Sequence, residues 1–586
     1  MTSDRRLREG EFPAKGLVFA WAAVCLILLL TSLSRLFSGQ FADPDDVLRL
    51  VQVRDVLAGQ GWFDLTQYRI DPPGGTAMHW SRLVDIPLLV IIAALTPLFG
   101  QAGAETTALI VVPFLTFGIA AAAIGRLAWR LLGARVAIFS VLACGFLPPL
   151  LFQFQPMRID HHGWQIASVA VALWAISRRQ AKASAAMAGL AMAFGISISL
   201  ELLPLAGAFA LVLFARWWFD HKHRDWLSVY MLALSGGLIG FYLATRGFSL
   251  AEYCDAVAPA HLAFFAVAAL GTWLVGSLSR LRGAGLLILF ALVGAAAFAT
   301  FALMSPACLA SPFAALDPLV DTYWYRLVLE GQPIWKQPAT AWVPALVQML
   351  AALGAAIALR LSASEWSRAW WGEYLFLLLA AGALGCFVTR SLALASIIAA
   401  IPLGWLASTL LLRLRRQRAP LAALSTAAAM IVLLAPMSLV MAYRAVVPAA
   451  PSEVQNVASG ACDIFANARR LEPLPQGTVF APLDIGPALL LKTQHNVIAT
   501  GHHRAAPAMA EVIGAFLASP EEARAIVESS GADYLALCTD MTEARLYANE
   551  APDGLAANLL KGDVPDWLSP VDHGGPVEFA VYRIAR

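Results

Sequence analysis

Charged residues are scarce in this sequence of 586 residues: Asp, Glu, Lys and Arg together make up 14%, whereas hydrophobic residues make up 59%. Ordinary soluble domains contain about 25% charged residues, so this composition excludes that class and favours a polytopic membrane protein. The net charge of +2 carries little information, because the charges are segregated along the chain.

Several catalytic and binding signatures are also absent. The sequence has no GxxxxGK[ST] phosphate loop, no GxGxxG opening a helix, no GxSxG and no HExxH. Its seven cysteines include no CxxC pair, which argues against a disulfide framework or a cysteine zinc site. Cys462 and Cys538 could still pair in an oxidising compartment. The basic residues occupy positions that set membrane topology, so we expect no nucleic-acid partner.

Long apolar stretches alternate with short loops, and a basic cluster follows every second stretch. The clusters are Arg126/Arg130/Arg135, Arg178/Arg179/Lys182, 216–224, Arg280/Arg282, 360–368 and 413–418. If each cluster is cytoplasmic, the positive-inside rule predicts about thirteen transmembrane helices, with the N-terminus inside and the C-terminus outside. A further apolar stretch at 86–98 would lie in the interface or re-enter the membrane. The predicted helices are 17–36, 105–125, 136–152, 163–177, 184–199, 202–216, 227–245, 260–278, 284–303, 341–359, 373–389, 391–411 and 420–442.

This topology predicts a membrane domain at 1–444, with a large outer loop at 37–85, and an extracytoplasmic domain at 445–586. In the tail, strand-like runs at 477–480, 496–499 and 534–537 alternate with helix-like runs at 508–517 and 521–529. The predicted fold class is therefore a polytopic α-helical membrane protein with a C-terminal α/β domain. We expect it in a bacterial inner membrane, with function on the outer face, because the outer loops are the long ones.

Asp160, His161 and His162 lie together at the outer end of a predicted hydrophobic helix. Ionisable side chains are costly there, and a carboxylate beside two imidazoles suits metal binding or acid/base chemistry. Mg²⁺ or Mn²⁺ would fit carboxylates with one imidazole, and Zn²⁺ would fit if a second imidazole joined. These residues predict a metal-dependent enzyme whose active site lies outside the cytoplasm.

The first outer loop carries a second acidic group, in which Asp43, Asp45 and Asp46 fall within four residues. Three carboxylates at a membrane surface could bind a divalent cation. The alternative is a helix N-terminus with acids in its first turn, because apolar residues follow at helical spacing. The isolated pattern favours that alternative, and a helix N-terminus could also present an acid to a substrate.

Three more features lie on the predicted outer face. His79 stands beside a tryptophan and is as consistent with an interfacial anchor as with a site residue. The 304–340 loop, which contains Trp324 and Glu330, mixes aromatic and charged residues in a way that suits sugars or isoprenoid phosphates. Arg390, at an outer helix boundary, could bind a lipid-linked phosphate or extend to the lipid headgroups.

These motifs resemble those of the GT-C superfamily of membrane glycosyltransferases, most closely the oligosaccharyltransferase catalytic subunit in its archaeal and bacterial single-subunit form. The Asp43-Pro44 pair followed by Arg49 resembles the family's first acidic motif, with Asp45 as the alternative acid. Residues 160–162 resemble its second motif, and 330–333 resemble its loop glutamate. The family's Trp-Trp-Asp-Tyr-Gly motif, which reads the acceptor sequon, is absent, and its nearest counterpart is 483–487.

The resemblance implies a divalent cation, Mg²⁺ or Mn²⁺, as cofactor. It also implies transfer of a sugar from a polyprenyl-phosphate or -diphosphate donor to a glycan, lipid or protein acceptor. The metal ligands would be Asp160, His162 and Asp43. The residues acting on the acceptor would be Asp43, Asp45 and Glu330. The remaining substrate-binding residues would be Arg390, His79, Asp46 and Trp324.

The alternative function is a transporter or flippase of lipid-linked saccharides. Transporters place their polar residues near the bilayer midplane and contain repeated broken helices. Here the ionisable residues collect at one outer edge and no internal repeat is visible, so the sequence favours the enzyme.

Overall fold

A computed structural model of the chain describes residues 11–178, 181–278, 282–310, 313, 316–446 and 462–585. Five basic residues used in predicting the topology lie outside the described residues: Arg5, Arg6, Arg8, Arg179 and Arg280.

The first eleven helices are α1 Ala14–Ser38, α2 Pro44–Leu57, α3 Asp85–Leu132, α4 Ala134–Cys144, α5 Pro148–Phe154, α6 His162–Ser177, α7 Ala181–Ile198, α8 Leu203–Phe219, α9 Arg224–Arg246, α10 Pro259–Ser277 and α11 Ala284–Met304. They are followed by α12 Pro318–Tyr323, α13 Ala339–Leu361, α14 Glu365–Phe387, α15 Leu392–Arg416, α16 Pro420–Leu434, α17 Met437–Val446, α18 Ile464–Asn467, α19 Gly486–Lys492, α20 Ala506–Leu517, α21 Pro520–Ser529, α22 Thr542–Glu550 and α23 Leu555–Lys561. The strands are β1 Thr66–Gln67, β2 Thr76–Ala77, β3 Thr478–Phe480, β4 Asn496–Val497, β5 Tyr534–Cys538, β6 Leu568–Pro570 and β7 Phe579–Ile584.

The chain folds into two compact units, and each unit is assembled from segments that are not consecutive in sequence. The first unit comprises Met1–Ser32, Ser81–Pro312 and Leu329–Pro448, and the second comprises Leu33–Trp80, Phe313–Val328 and Ala449–Arg586. The second unit therefore combines most of the first outer loop, part of the 304–340 loop and the C-terminal tail. The predicted boundary at 444/445 instead assigns every residue before it to one domain and every residue after it to the other.

Nine helices in the described residues are long and apolar enough to cross a membrane, or up to eleven if each of two bent helix pairs is one span. The polytopic membrane class is thus confirmed, but the count of thirteen is not. Two predicted spans form α6 and α7, whose 16 and 18 residues are short for a bilayer that needs about 20. The stretch at 86–98 lies in α3, where Gly100 breaks the helix with a φ of 68°.

Helix α15 forms the centre of the first unit. Every residue from Leu392 to Gly404 is buried, and the helix packs against α3, α4, α6, α13, α14 and α16. A Cβ atom on Gly404 would stand 2.5 Å from the backbone nitrogen of Ser140 in α4, so the glycine allows the two helices to touch. The short 3₁₀ turn Thr389–Ser391, which carries Arg390, immediately precedes this buried segment.

The second unit is built on a five-stranded sheet with the order β4-β3-β5-β7-β6. β3 pairs in parallel with β4 and β5, and β7 runs antiparallel to β5 and β6. The predicted tail strands coincide with β3, β4 and β5 and the predicted helices with α20 and α21, which confirms the α/β class. Helix α21 begins with a capping box formed by Ser519 and Glu522.

Within the second unit, hydrogen bonds connect the first outer loop to the C-terminal tail. The backbone nitrogen of Val497 donates to the carbonyl of Arg69 at 2.9 Å, and that of Asp71 donates to the carbonyl of Val497 at 3.0 Å. The Arg69 guanidinium donates to three carbonyls, those of Leu490, Thr493 and His495. A single arginine therefore satisfies three carbonyl groups of the segment that leads into β4.

Two disulfides are present, Cys254–Cys308 in the first unit and Cys462–Cys538 in the second. The expectation that the cysteines form no disulfide framework is therefore wrong. The partners are 54 and 76 residues apart, so no local spacing reveals them. The pairing of Cys462 with Cys538, which the sequence allowed, is the one that ties the start of the tail to β5.

Candidate functional site

The segment between α5 and α6 carries the Asp-His-His motif. Pro156 ends α5, because a residue before proline avoids the helical conformation and Gln155 is accordingly extended. The backbone nitrogen of Met157 then donates to the carbonyl of Leu109 in α3 at 2.8 Å. Arg158 Nη2 donates to Gln153 Oε1 at 3.0 Å. These bonds hold the segment against its two neighbouring helices.

The three side chains of the motif are buried and adjacent. His162 Nε2 lies 3.4 Å from Asp160 Oδ2, and His161 Nδ1 is hydrogen-bonded to Asp160 Oδ1. The two imidazole rings stand 4.1 Å apart, centroid to centroid. Each residue offers a ligand atom, and these atoms all lie within 4.8 Å of one another. The arrangement is compatible with one ion held by a carboxylate and one or two imidazoles.

The donor set fits a divalent cation. His162 Nδ1 lies 3.1 Å from Gln165 Oε1, so the amide oxygen accepts the Nδ1 proton and leaves Nε2 as the lone-pair donor toward Asp160. A mixed oxygen and nitrogen set suits Mg²⁺, Mn²⁺ or Zn²⁺ and does not select among them. Of the predicted metal ligands, the structure brings Asp160 and His162 together. Asp43 belongs to the second unit.

Gly163, the residue after the motif, lets α6 begin close to α3. A Cβ atom there would stand 2.9 Å from Thr116 Oγ1. We expect Gly163→Ala to shift the start of α6 and to lower activity by about tenfold, because site geometry tolerates only small displacements. Thr116→Ala removes the clashing oxygen, so the double variant should recover most of the lost activity in a transfer assay. No recovery would show that the clash is not the cause.

Arg390 lies between two carboxylates of the first unit. Its Nε donates to Glu201 Oε1 at 2.6 Å and its Nη1 to Glu330 Oε1 at 3.2 Å. The neighbouring Thr389 donates from its backbone nitrogen and its hydroxyl to the carbonyl of Gln332, at 3.2 and 2.6 Å. Arg390 also acts electrostatically on His162. The predicted residues Asp160, His162, Arg390 and Glu330 therefore share one region of this unit.

Glu201 is a member of this group that the sequence reasoning missed. It lies in the 3₁₀ turn Leu200–Leu202, whose N-cap Ser199 accepts a hydrogen bond from the Glu201 backbone nitrogen. The signal was a lone acid between two predicted spans, on the same predicted face as Asp160 and Arg390. Such an isolated charge at the end of a span is costly unless it has a partner.

A largely apolar cavity of about 440 Å³ lies among α8, α9, α10 and α11. Helix α8, which lines it, begins two residues after Glu201. The lining includes Leu203, Ala206, Met231, Phe264, Phe298 and the buried His261. Its shape and composition suit an apolar chain.

The acids of the first outer loop form a helix start, as the alternative reading held. Asp43 is the N-cap of α2, and its carboxylate accepts a hydrogen bond from the backbone nitrogen of Asp45 at 2.9 Å. Asp45 and Asp46 lie in the first turn, where negative charge is favourable, and Asp46 is buried.

Trp324 and His79 also belong to the second unit. A Cβ atom on Gly501 would stand 3.0 Å from the indole nitrogen of Trp324, so the tryptophan covers the loop that follows β4. His79 meets two further histidines of the same loop, His502 and His503. Neither of these two was predicted, because more than 420 residues separate them from His79.

The 483–487 counterpart of the sequon motif is held by a buried glutamate. Glu543 accepts hydrogen bonds from the backbone nitrogens of Leu483 and Asp484, at 2.8 and 2.9 Å, and from the hydroxyl of Tyr547 at 2.7 Å. These bonds fix the turn and leave the side chain of Asp484 exposed. Asp484 therefore lies on a rigid turn, where the surrounding protein atoms partly desolvate its carboxyl group and raise its pKa.

Burial, followed by the negative charge of Asp484, raises the pKa of Glu543 from 4.5 to about 8. The folded state therefore holds this proton more tightly than the unfolded chain, so the associated stability is present below pH 4.5 and lost as the pH rises through about 8. We expect the tail of the full-length protein to become more sensitive to protease over that interval. Glu543→Gln should flatten the dependence, whereas Glu550→Gln, at an exposed position of α22, should not.

The sequence matches no protein-family model and no curated protein. Solved structures do match. The archaeal oligosaccharyltransferase AglB from Archaeoglobus fulgidus, in complex with an inhibitory peptide and a dolichol-phosphate, superposes with a TM-score of 0.67 at 12% identity, over 98% of this chain and 75% of that chain. The chain has the fold of this archaeal oligosaccharyltransferase.

Two further structures of the Archaeoglobus fulgidus oligosaccharyltransferase agree. The apo form gives a TM-score of 0.65 at 14% identity, over 94% of this chain and 73% of that chain. The complex with Zn and sulfate gives 0.60 at 12% identity, over 97% and 73%. The architecture expected from the sequence resemblance, that of a single-subunit oligosaccharyltransferase, is thereby confirmed. At 12–14% identity these structures establish the fold alone, so the chemistry has to be argued from the side chains.

Proposed function

We propose that this protein is a membrane glycosyltransferase that moves a sugar or oligosaccharide from a polyprenyl-phosphate or -diphosphate donor to an acceptor on the outer face of the membrane. The observation that carries the proposal is the pair of Asp160 Oδ2 and His162 Nε2, 3.4 Å apart, in the same compact unit as Arg390 with its two carboxylate partners. A metal-binding pair beside an arginine is suited to a phosphate that gains negative charge as a sugar leaves it.

The structural neighbours support this substrate class. The AglB structure contains a dolichol-phosphate, and another structure of the Archaeoglobus fulgidus enzyme contains Zn and sulfate. A lipid phosphate, a divalent metal and a tetrahedral anion are the ligands that the donor set of Asp160 and His162 and the guanidinium of Arg390 would accept.

Each residue has a defined part in this proposal. Asp160 and His162 would hold a divalent cation, which when bound would offset the negative charge of the leaving phosphate. Arg390 would donate hydrogen bonds to phosphate oxygens. Glu201 and Glu330 hold its guanidinium in place, so little side-chain entropy is lost when the donor binds. The roles of Asp43 and Asp45 toward the acceptor stay predictions.

The apolar cavity among α8–α11 is proposed to receive the isoprenoid chain of the donor. The first residue in sequence that lines the cavity is Leu203, which follows Glu201, the residue whose carboxylate pairs with Arg390, by two positions. The apolar cavity therefore begins, in sequence, close to the partner of Arg390, at which the lipid phosphate would bind. Burying isoprenoid methylene and methyl groups contributes about 0.8 kcal/mol per carbon.

The two disulfides support an outward orientation of the long loops and the tail. Disulfides persist in oxidising compartments such as the bacterial periplasm and are rare in the cytosol. Cys254 and Cys308 lie in the loops at 246–259 and 304–340, and Cys462 and Cys538 lie in the tail, all predicted to be outside. The free cysteines Cys25, Cys144 and Cys386 lie in membrane helices. We therefore propose that these loops and the tail lie on the outer face of a bacterial inner membrane.

A glycan or lipid acceptor is favoured over a protein acceptor. The sequon-reading tryptophans are absent, and the corresponding turn presents Asp484 after a leucine. A single exposed carboxylate suits a hydroxyl-bearing acceptor, to which it can accept a hydrogen bond.

The test is glycosyl transfer by the purified protein from a mixed lipid-linked sugar extract, with and without Mn²⁺, followed by mass spectrometry of the lipid and peptide fractions. Metal-dependent loss of sugar from the carrier is the expected result, and the fraction that gains mass identifies the acceptor class. An intact carrier in the presence of metal would contradict the proposal and favour a transporter of lipid-linked saccharides.

A further inference from the structure

Three histidines of the second unit converge from two distant segments of the chain. The ring centroids of His79, His502 and His503 form a nearly equilateral triangle, with separations of 5.0, 4.9 and 5.0 Å. His79 Nδ1 lies 2.9 Å from His502 Nε2, and each ring offers a ligand nitrogen within 4.8 Å of the other two. No acidic residue belongs to this group within the described part of the chain.

The triangle is held on a preformed scaffold. His79 follows β2 of the loop hairpin, and His502 and His503 follow β4. Arg504 Nη1 donates to the carbonyls of Ala77 and Met78, at 3.2 and 3.3 Å, which pins the segment before His79 to the segment after His503. The backbone bonds between Arg69, Asp71 and Val497 join the same two segments a few residues upstream. Rigid supports of this kind are what a ligand set needs in order to keep its geometry.

Aromatic rings enclose the triangle on two sides. Trp80 is buried and stands edge-on to His502 at 5.3 Å, and Phe313 stands edge-on to His503 at 5.2 Å. His502 is buried, whereas His79 and His503 are half-buried. The triangle is thus partly accessible to solvent, which a metal site needs if it is to combine three protein ligands with a water or substrate.

We propose that His79, His502 and His503 form a second metal site, an all-imidazole site for a Zn²⁺-class ion with one open coordination position. In a tetrahedral site, Zn–N bonds of about 2.0–2.1 Å place the ligand nitrogens roughly 3.3 Å apart. The observed 2.9 Å between His79 and His502 is a few tenths shorter, so small ring rotations reach that spacing.

Donor chemistry separates this site from the Asp160 group. Imidazole nitrogen suits Zn²⁺, Cu²⁺ and Ni²⁺, whereas Mg²⁺ and Mn²⁺ prefer carboxylate oxygen. The chain would thus hold two ions, one on an all-imidazole set in the second unit and one on a mixed oxygen and nitrogen set in the first. An ion on the three histidines would also cross-link the first outer loop to the tail. This inference does not depend on the proposed glycosyl transfer, because its test measures ion binding.

The test uses the full-length protein, stripped of metal with a chelator and titrated with Zn²⁺, with Co²⁺ as a spectroscopic probe. Asp160→Asn serves as the background, because it removes a ligand of the other group. We expect one Zn²⁺ to remain in that background. Adding His79→Gln or His503→Gln should weaken its binding by about tenfold or more and abolish the intense visible absorption of tetrahedral Co²⁺. His573→Gln, in the same unit but outside the triangle, should change neither.

The two variants alter different segments, so if one fails to fold the other still decides the outcome. The proposal is overturned if both folded variants keep the affinity and Co²⁺ spectrum of the background. It is also overturned if Asp160→Asn alone removes all bound Zn²⁺. Thermal stabilisation by inorganic phosphate but not by Zn²⁺ would instead identify the triangle as an anion site.

Discussion

Replacing Asp160 by Asn is expected to lower glycosyl transfer by about a hundredfold or more while leaving membrane insertion intact. Asn keeps the shape of the side chain but removes the charge that makes Oδ2 an effective metal ligand. His162 Nε2 would then face a neutral amide at 3.4 Å, and imidazoles without a carboxylate bind Mg²⁺ or Mn²⁺ poorly. The measurement is initial transfer rate as a function of Mn²⁺ concentration.

Asp220→Asn is the matched control for this variant. Asp220 caps a short 3₁₀ turn, its side chain is 52% exposed, and it lies in a loop predicted to be cytoplasmic, so the same chemical change occurs at a position with no proposed ligand. Equal membrane yield of both variants, with activity lost only in Asp160→Asn, is the expected pattern. Full activity of Asp160→Asn at every Mn²⁺ concentration would remove Asp160 from the proposed metal site.

Replacing Arg390 by Gln should lower stability and weaken donor binding at the same time. The substitution leaves the carboxylates of Glu201 and Glu330 without the guanidinium that both of them contact. The three side chains are between 20% and 34% exposed, so the cost lies between that of a surface pair and a buried pair, roughly 1–3 kcal/mol. Loss of the guanidinium also removes the proposed phosphate contact, which should raise the KM for the lipid donor by about tenfold.

A triple variant separates these two effects. Combining Arg390→Gln with Glu201→Gln and Glu330→Gln removes all three charges, so no carboxylate is left uncompensated and most of the thermal stability should return. The KM for the donor should stay high, because the phosphate contact is still missing. Recovery of both stability and KM would show that Arg390 acts only as a structural partner of the two glutamates.

Arg216→Gln provides the control for loss of an ion pair alone. Arg216 bonds to Glu373 through two nitrogens, at 2.8 and 2.5 Å, and both side chains are similarly buried. It belongs to a basic cluster predicted to be cytoplasmic. We expect this variant to lose stability to a similar extent while its KM for the donor is unchanged.

The candidate site was predictable where its residues are costly in a membrane. Asp160, His162 and Arg390 stood out because charged groups at the ends of apolar spans need a reason to be there. Glu201 was overlooked although it obeys the same rule, because a two-residue turn between spans resembles an ordinary connection. For Asp43, local spacing correctly indicated a helix N-cap, since a capping bond to the second residue of the helix depends only on neighbours in sequence.

The sequence by itself determined the membrane class, the α/β tail and the positions of its first three strands, because hydropathy and short-range periodicity record them directly. Only the tertiary structure decided which distant residues meet. It paired Cys254 with Cys308, placed Glu201 and Glu330 on either side of Arg390, and brought His79 to His502 and His503. These contacts depend on packing across tens to hundreds of residues, and local patterns in one sequence carry no record of that packing.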